Sequence, residues 1–168
     1  MTKTLGSLPE ILNFSDEDLA ANRAGRMSEA QKQRLTRGWR RTLWIVIGLV
    51  IVLGLVATTL LFAAQRGGSS VLSVVGILVT VINAAIVGLG AQSYIRTSND
   101  LKGGQVTTIS GVASHTIRVS GRVATYILKV DDQNVVVSRL VFFAIEDGKA
   151  YRLYRAPSSK TLLAAEPA

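Results

Sequence analysis

The chain contains no cysteine and only one histidine, and these two absences exclude much of ordinary enzyme chemistry. Without cysteine there is no disulfide, no thiolate nucleophile and no thiolate metal ligand. His115 shares strand parity with Ile117 and Val119, which favours a packed histidine over a general base. The glycines follow neither GxGxxG nor P-loop spacing. We therefore expect no catalytic residue, no metal and no cofactor, and a hydrolase would have to depend on His115.

Charge is missing from two long segments of the 168-residue chain. Leu43–Ala64 and Val71–Ala91 contain no charged residue, and Arg66 is the only charge between them. At 1.5 Å per residue each segment covers about 30 Å as a helix, the thickness of a bilayer core. The first segment begins too far along the chain for a cleavable signal peptide. The pattern predicts a transmembrane hairpin over residues 42–96, with spans of about 43–64 and 71–94.

Basic residues cluster on one side of the two apolar segments, within a formal net charge of +8. The positive-inside rule places such a cluster in the cytoplasm, and Trp and Tyr prefer the membrane interface. The predicted membrane-surface set is Lys32, Arg34, Arg37, Arg40 and Arg41 with Trp39, Trp44 and Tyr94, and Arg96 and Lys102 follow the second span. We therefore expect a multi-pass inner-membrane protein with both termini in the cytoplasm.

Residues 1–41 form the predicted cytoplasmic tail and its basic amphipathic helices. Ser15 and Asp18 form a capping box for a helix over Asp16–Ala24, and a second helix is predicted from Glu29 directly into the first span, with a kink at Gly38 as the alternative. Met1–Phe14 is predicted to be a flexible or partner-ordered tail. The alternative is a docking motif formed by Leu8, Ile11, Leu12 and Phe14.

Small residues recur at every fourth position of the second span. The predicted helix-packing set is Gly76, Thr80, Asn83, Ala84 and Gly88. Small residues let helices approach closely in lipid, and a buried amide usually bonds across the interface. We expect this face to pack on the first span of the same chain near Gly48 and Gly54, with self-association as the alternative.

From Gly104 onward apolar residues alternate with polar ones in short runs, which is typical of β-strands. Alternating runs are predicted at 105–109, 112–120, 123–130, 134–138, 150–155 and 161–165, with a hairpin turn at Asp131–Asn134. Arg139–Ile145 favours a short helix over a strand extension. The predicted fold class is membrane α plus a small all-β domain at 103–168, either an OB-like or an SH3-like β barrel, with a more open meander as the alternative.

A basic strand with aromatic residues marks the candidate partner surface. The set is Tyr151, Arg152, Tyr154 and Arg155, and strand alternation places Arg152 and Tyr154 on one face. Such a strand can bind single-stranded nucleic acid in an OB-type domain. Asp131, Asp132, Glu146 and Asp147 offset part of the basic charge of the domain, and an anionic membrane lies close by, so lipid-headgroup contact is favoured over nucleic acid.

Two segments resemble those of bacterial membrane proteins of uncharacterised function that consist of a helical segment, two spans and a small β domain. They are Asn22–Gln31 and the tail from the Tyr151–Tyr154 Tyr-Arg-Leu-Tyr run to Leu162–Pro167. The layout is also similar in architecture to NfeD-type proteins, in which an OB-type domain follows transmembrane helices and works beside membrane scaffold proteins or proteases. The resemblance implies an architecture and no activity.

These observations predict a non-enzymatic membrane scaffold or accessory subunit. Its β domain and basic helix would bind protein partners, or further copies of the chain, at the membrane surface. The alternative is an oligomeric channel or small-solute permease in which Asn83 and Thr80 face a pore.

Overall fold

The computed structural model describes residues 7–168. The described part of the chain forms two compact units. The β unit comprises the residues up to Gln33 together with Asp100–Ala168, and the hairpin unit comprises Arg34–Asn99. The elements in chain order are α1 Leu8–Leu12, α2 Asp16–Arg23, α3 Glu29–Gly67, α4 Ser70–Gly103, β1 Thr107–Ser120, β2 Val123–Val130, β3 Gln133–Val137, α5 Arg139–Ala144, β4 Ala150–Arg155 and β5 Leu162–Pro167.

The hairpin unit consists of α3 from Arg34 onward and α4 up to Asn99. Both helices are long and apolar enough to cross a membrane. Helix α3 continues through Gly38 without a break, as the continuous-helix prediction required. Most of the large apolar side chains of the two helices are exposed, for example Leu55 at 65% and Leu89 at 68%. In water such exposure would be costly, whereas in lipid it is the expected arrangement.

The two helices meet along positions that recur every seven residues. On α3 these are Leu43, Val50, Ala57 and Ala64, and on α4 they are Gly76, Asn83 and Gly90, all at least partly buried. A seven-residue period keeps one seam facing the partner helix in a left-handed crossing. The small residues at these positions allow close approach in lipid.

The β unit contains one antiparallel five-stranded sheet in the order β3-β2-β1-β4-β5. The first part of β1 pairs with β4 and the second part pairs with β2. Asp131 and Asp132 form the two-residue turn between β2 and β3 with positive φ angles, so the predicted hairpin is confirmed. Strands β3 and β5 are the two edges, and no pairing joins them within residues 7–168.

The prediction of two separate strands at 105–109 and 112–120 is wrong, because β1 runs through Gly111. A Cβ atom at Gly111 would lie 3.1 Å from the backbone nitrogen of Asp131. Glycine therefore allows close packing against the β2–β3 turn here, and it does not end the strand. The predicted short helix after β3 is confirmed as α5.

The amino-terminal helices belong to the β unit. Leu8, Ile11 and Leu12 pack against the sheet core, and Phe14 is buried with Tyr154 and Ala164. The prediction of a tail over Met1–Phe14 is therefore wrong for residues 7–14, while residues 1–6 lie outside the described part. The physical reason is that the β4–β5 part of the sheet has apolar side chains on both faces, and the second face needs a cover.

Candidate binding surfaces of the β unit

The predicted partner surface on β4 is mostly buried. Tyr151 is 4% exposed and Tyr154 is 1% exposed, whereas Arg152 is exposed and Arg155 is partly buried. Tyr154 faces α2, and its ring packs with Phe14 and Ala164. Tyr151 belongs to the main core cluster. The prediction that both tyrosines offer an open surface is wrong, because the amino-terminal segment covers Tyr154 and the main core buries Tyr151.

A polar cluster fixes this cover to the sheet. The Glu166 carboxylate accepts a hydrogen bond of 2.7 Å from the Tyr154 hydroxyl and one of 3.2 Å from Nε of Arg23 on α2. The hydrogen bond from Arg23 lowers the pKa of Glu166, and this outweighs the opposing effect of burial. Burial, followed by the hydrogen bond to Glu166, raises the pKa of Tyr154. These groups neutralise one another, which is the behaviour of a structural clasp.

Two further carboxylates hold loops through charge-assisted hydrogen bonds. Asp100 accepts bonds of 2.7 Å from the backbone N–H groups of both Ser158 and Ser159. Asp18 caps α2 as predicted and also accepts a hydrogen bond from the Ser28 hydroxyl. The amino-terminal chain also pairs with residues after α4, since Met27 donates its N–H to the Gly104 carbonyl at 2.8 Å. All of these polar groups are used for structure.

His115 is a packed side chain, in agreement with its strand position. Its ring stacks on Phe142 with centroids 4.1 Å apart, and its backbone N–H donates to Asp147 at 2.8 Å. No group of three or more His, Cys, Asp or Glu that could hold a metal ion occurs within residues 7–168.

The predicted helix-packing set divides into residues on the seam and residues away from it. A Cβ atom at Gly76 would lie 2.8 Å from the Leu61 side chain, and Asn83 donates a hydrogen bond of 3.3 Å to the Val50 carbonyl. Ala84 and Gly88 are exposed, because contact follows the seven-residue period and leaves the four-residue stripe. Thr80 bonds the Gly76 carbonyl of its own helix. Since Asn83 bonds within the hairpin, it no longer argues for a pore.

The predicted membrane-surface residues are arranged within each unit as follows. In the hairpin unit Trp39 and Tyr94 have ring centroids 5.0 Å apart, and Trp44 is 67% exposed. Arg37, Arg40 and Arg41 are exposed along α3, and Arg34 is partly buried. Lys32 in the β unit pairs with Glu29 at 2.7 Å. The contact of Trp39 with Tyr94 brings together two residues that the sequence had assigned to the same interface.

A cleft of about 770 Å³ opens beside edge strand β3. Its lining includes β3, Ile11 and Leu12 of α1, and the segment 159–162 that leads into β5. Arg155 also lines the cleft, and its guanidinium donates to the side chain of Gln133. The Arg155 Nε is buried and has no hydrogen-bond partner within the described residues. The cleft therefore combines apolar walls with the Arg155 guanidinium, which is a suitable hydrogen-bond donor for an anionic partner.

A second open surface lies at the far end of the β1–β2 hairpin, and we call it the tip patch. It consists of Ile117 and Val119 on β1 and Leu140 and Phe143 on α5, which are 49–68% exposed. Tyr126 connects the two parts, because it pairs with Ile117 and its ring lies 6.1 Å from that of Phe143. The sequence interpretation missed both surfaces. The available signal was the complete absence of acidic residues from 112–126 and 134–145.

Comparison with known proteins adds no identification. No protein-family model matches the chain, and no curated protein matches it. The function must therefore be argued from the surfaces described above.

Proposed function

We propose that the chain is a membrane-anchored, non-enzymatic scaffold or accessory subunit whose β unit lies in the cytoplasm and binds an extended segment of a protein partner. Two helices of membrane-spanning length support the anchoring. The basic cluster before the first span and Trp39, Trp44 and Tyr94 support the cytoplasmic orientation. The observation that carries the binding role is the open β3 edge with the cleft beside it.

The sheet supports an OB-type interpretation of the β unit. Its order of three strands, a short helix and two strands, with β1 shared between β2 and β4, is that of a five-stranded barrel that has not closed. Closure would require β3 to pair with β5. Because that pairing is missing within residues 7–168, β3 keeps a free edge, and a free edge is a template for another strand.

The hairpin register tells which backbone groups of β3 are available. Residues that flank a two-residue turn exchange hydrogen bonds, so Gln133, Val135 and Val137 bond to β2 through their pairs with Val130, Leu128 and Tyr126. Asn134 and Val136 then direct their N–H and C=O groups toward the open side. A partner strand added there would gain main-chain hydrogen bonds, and the cleft beside it would receive alternate side chains.

The charge of the cleft indicates the chemistry of the partner. Arg155 and Lys160 line it, together with the apolar residues Val135, Val141 and Leu162. An extended segment with alternating apolar and acidic side chains would satisfy both kinds of group, and a carboxylate would pair with the guanidinium of Arg155, which lines the cleft. We therefore infer that the partner contributes an acidic, apolar β-type segment.

The experiment uses the full chain in its native membrane, with a photo-crosslinking amino acid in place of Asn134. We expect a crosslink to one segment of a partner protein, of the composition described above. In a second chain Val136→Pro removes the outward N–H, and proline is tolerated on an edge strand. This change should abolish the crosslink, whereas Val136→Thr keeps the N–H and the β-branched shape and should retain it.

Arg155→Met provides a second test that leaves every backbone group in place. We expect it to weaken the crosslink by removing the charge that faces the cleft. Crosslinks to a second copy of the chain alone, or a yield that Val136→Pro leaves unchanged, would contradict the proposal. Recovery of only an uncrosslinked chain at native expression would do the same.

A further inference from the structure

The tip patch is an exposed apolar surface that the core of the β unit does not need. Ile117 is 50% exposed and Val119 is 68% exposed, although both point to the face of β1 that carries the buried Ala113. The same face of β2 changes from the buried Val130 and Leu128 to the partly buried Tyr126. The hairpin therefore extends beyond the core, and its inner face is uncovered there.

Two arginines lie beside this surface, and a third lies on the opposite face of β1. Arg122 lies in the turn after β1, and Arg139 begins α5 with its guanidinium 5.8 Å from the Phe143 ring centre. Arg118 shares strand parity with Ser114 and faces away from the patch. All three are exposed, and none of them is paired with a carboxylate in the described part of the chain. Asp131 and Asp132 lie at the opposite end of β2, and Asp147 accepts from the backbone of His115 nearer the core. The tip patch is therefore an apolar surface, and the charged side chains beside it are cations.

We propose that the tip patch docks on the surface of an anionic lipid bilayer. Exposed apolar side chains surrounded by cations are suited to the boundary between headgroups and acyl chains, where apolar burial and attraction to anionic lipid add together. A protein interface with an acidic partner is the competing interpretation, and the test below separates the two. The inference rests on the membrane anchoring proposed above.

The chain length allows this contact. Helix α4 continues from Tyr94 to Gly103, a length of about 14 Å, and β1 begins at Thr107. Strand β1 has 14 residues, which at about 3.3 Å each gives about 45 Å. Strand β1 is thus longer than the helical segment between Tyr94 and Gly103, so the length of the chain permits contact between the tip and a bilayer.

The chain has no cysteine, so single-cysteine variants carry a label at one position only. Val119→Cys places a polarity-sensitive fluorophore in the tip patch. Ser114→Cys places it on the opposite face of β1, nearer the core, and Leu89→Cys places it on the exposed side of α4. Each full-length chain is reconstituted in nanodiscs of phosphatidylcholine, with or without phosphatidylglycerol. A lipid with a nitroxide near its headgroup, or along its acyl chain, serves as the quencher.

We expect acyl-chain quenching at Leu89→Cys in both lipids, and headgroup quenching at Val119→Cys that increases with phosphatidylglycerol. Ser114→Cys should stay unquenched. Each of Arg122→Gln and Arg139→Gln should lower the ratio of docked to undocked tip about fivefold. Arg118→Gln, on the opposite face of β1, is the matched control and should have a smaller effect. Replacement of both Arg122 and Arg139 by Lys should retain docking, which a merely structural role of the arginines would not produce.

Three outcomes overturn the proposal, and they can be distinguished. Quenching at Leu89→Cys without any at Val119→Cys, in either lipid, leaves the anchoring intact and removes the docking. Disulfide crosslinks between Val119→Cys copies would likewise replace the lipid with a protein partner. Absence of quenching at Leu89→Cys would overturn the anchoring, and the docking with it.

Discussion

The hairpin unit and the β unit place the same types of side chain in opposite positions. Leu55 and Val81 on the two long helices are 65% and 60% exposed, whereas Leu128 and Leu153 in the sheet are fully buried. Polar side chains differ as well, since the β unit buries Glu166 within its clasp, whereas in the hairpin unit Asn83 is partly buried and bonds to the facing helix. One chain therefore carries two surfaces that suit two solvents, lipid for the helices and water for the sheet.

The largest effect is expected where the amino-terminal segment enters the β unit. Phe14→Ala removes a buried ring that packs with Tyr154 and Ala164, and it should lower the free energy of unfolding of the β unit by about 3–5 kcal/mol. Phe62→Ala, at a 53% exposed position in the hairpin unit, is the matched control and should leave that free energy unchanged. Tyrosine near-UV circular dichroism of the detergent-solubilised chain measures it. Equal loss in both variants would mean that the two units are not separate.

The docking of residues 7–14 is the part of the fold that the sequence predicted least well. The two spans, the Ser15 capping box, α5 and the β2–β3 turn each depend on a local pattern, and local patterns are readable in sequence. The docking of residues 7–14 depends on a sheet that begins about a hundred positions later. No local signal separates Leu8 and Ile11 in a docked helix from the same residues in a tail, although Phe14 in a polar segment was a hint.

The same long-range contact explains the misjudged surface on β4. Alternation correctly placed Arg152 and Tyr154 on one face, but it could not show that α2 covers the tyrosine and leaves the arginine exposed. The prediction along α4 was also partly wrong, because Ala84 and Gly88 of the four-residue stripe are exposed. The partly buried positions recur every seven residues instead, which is the period that keeps one seam of a helix facing its partner.

A pair of lysine substitutions tests the difference in solvent directly. Leu55→Lys and Val112→Lys both change an exposed apolar residue, one near the middle of the first span and one on β1. In lipid the first should reduce membrane insertion by about 2.5–3.5 kcal/mol. The second should change stability by less than about 0.5 kcal/mol, because the β unit faces water. A membrane-insertion assay and thermal unfolding give the two values, and similar small effects would show that the helices are not in lipid.

The clasp around Glu166 predicts a smaller effect that depends on pH. Glu166→Ala leaves the buried Tyr154 hydroxyl without its acceptor and should cost the β unit about 1–3 kcal/mol at neutral pH. The pKa of Glu166 is lowered in the folded chain, so its contribution is present above the ordinary value of 4.5 and is lost as the pH falls through the folded value. The free energy of unfolding should therefore rise with pH across this acidic window, and less steeply in the variant. Glu146→Ala, at an exposed ion pair, is the control. Parallel slopes in all three chains would contradict the assigned role.

The central claim is that the hairpin unit crosses the membrane and that the β unit remains in the cytoplasm. Ser70→Cys at the start of α4, next to the turn after α3, and Ser114→Cys on β1 each place one exposed thiol in a chain that otherwise has none. In intact cells an impermeant thiol reagent should label the first variant and leave the second unlabelled until the membrane is opened. Labelling of Ser114→Cys, but not of Ser70→Cys, in sealed cells would contradict the orientation and the cytoplasmic binding role that depends on it.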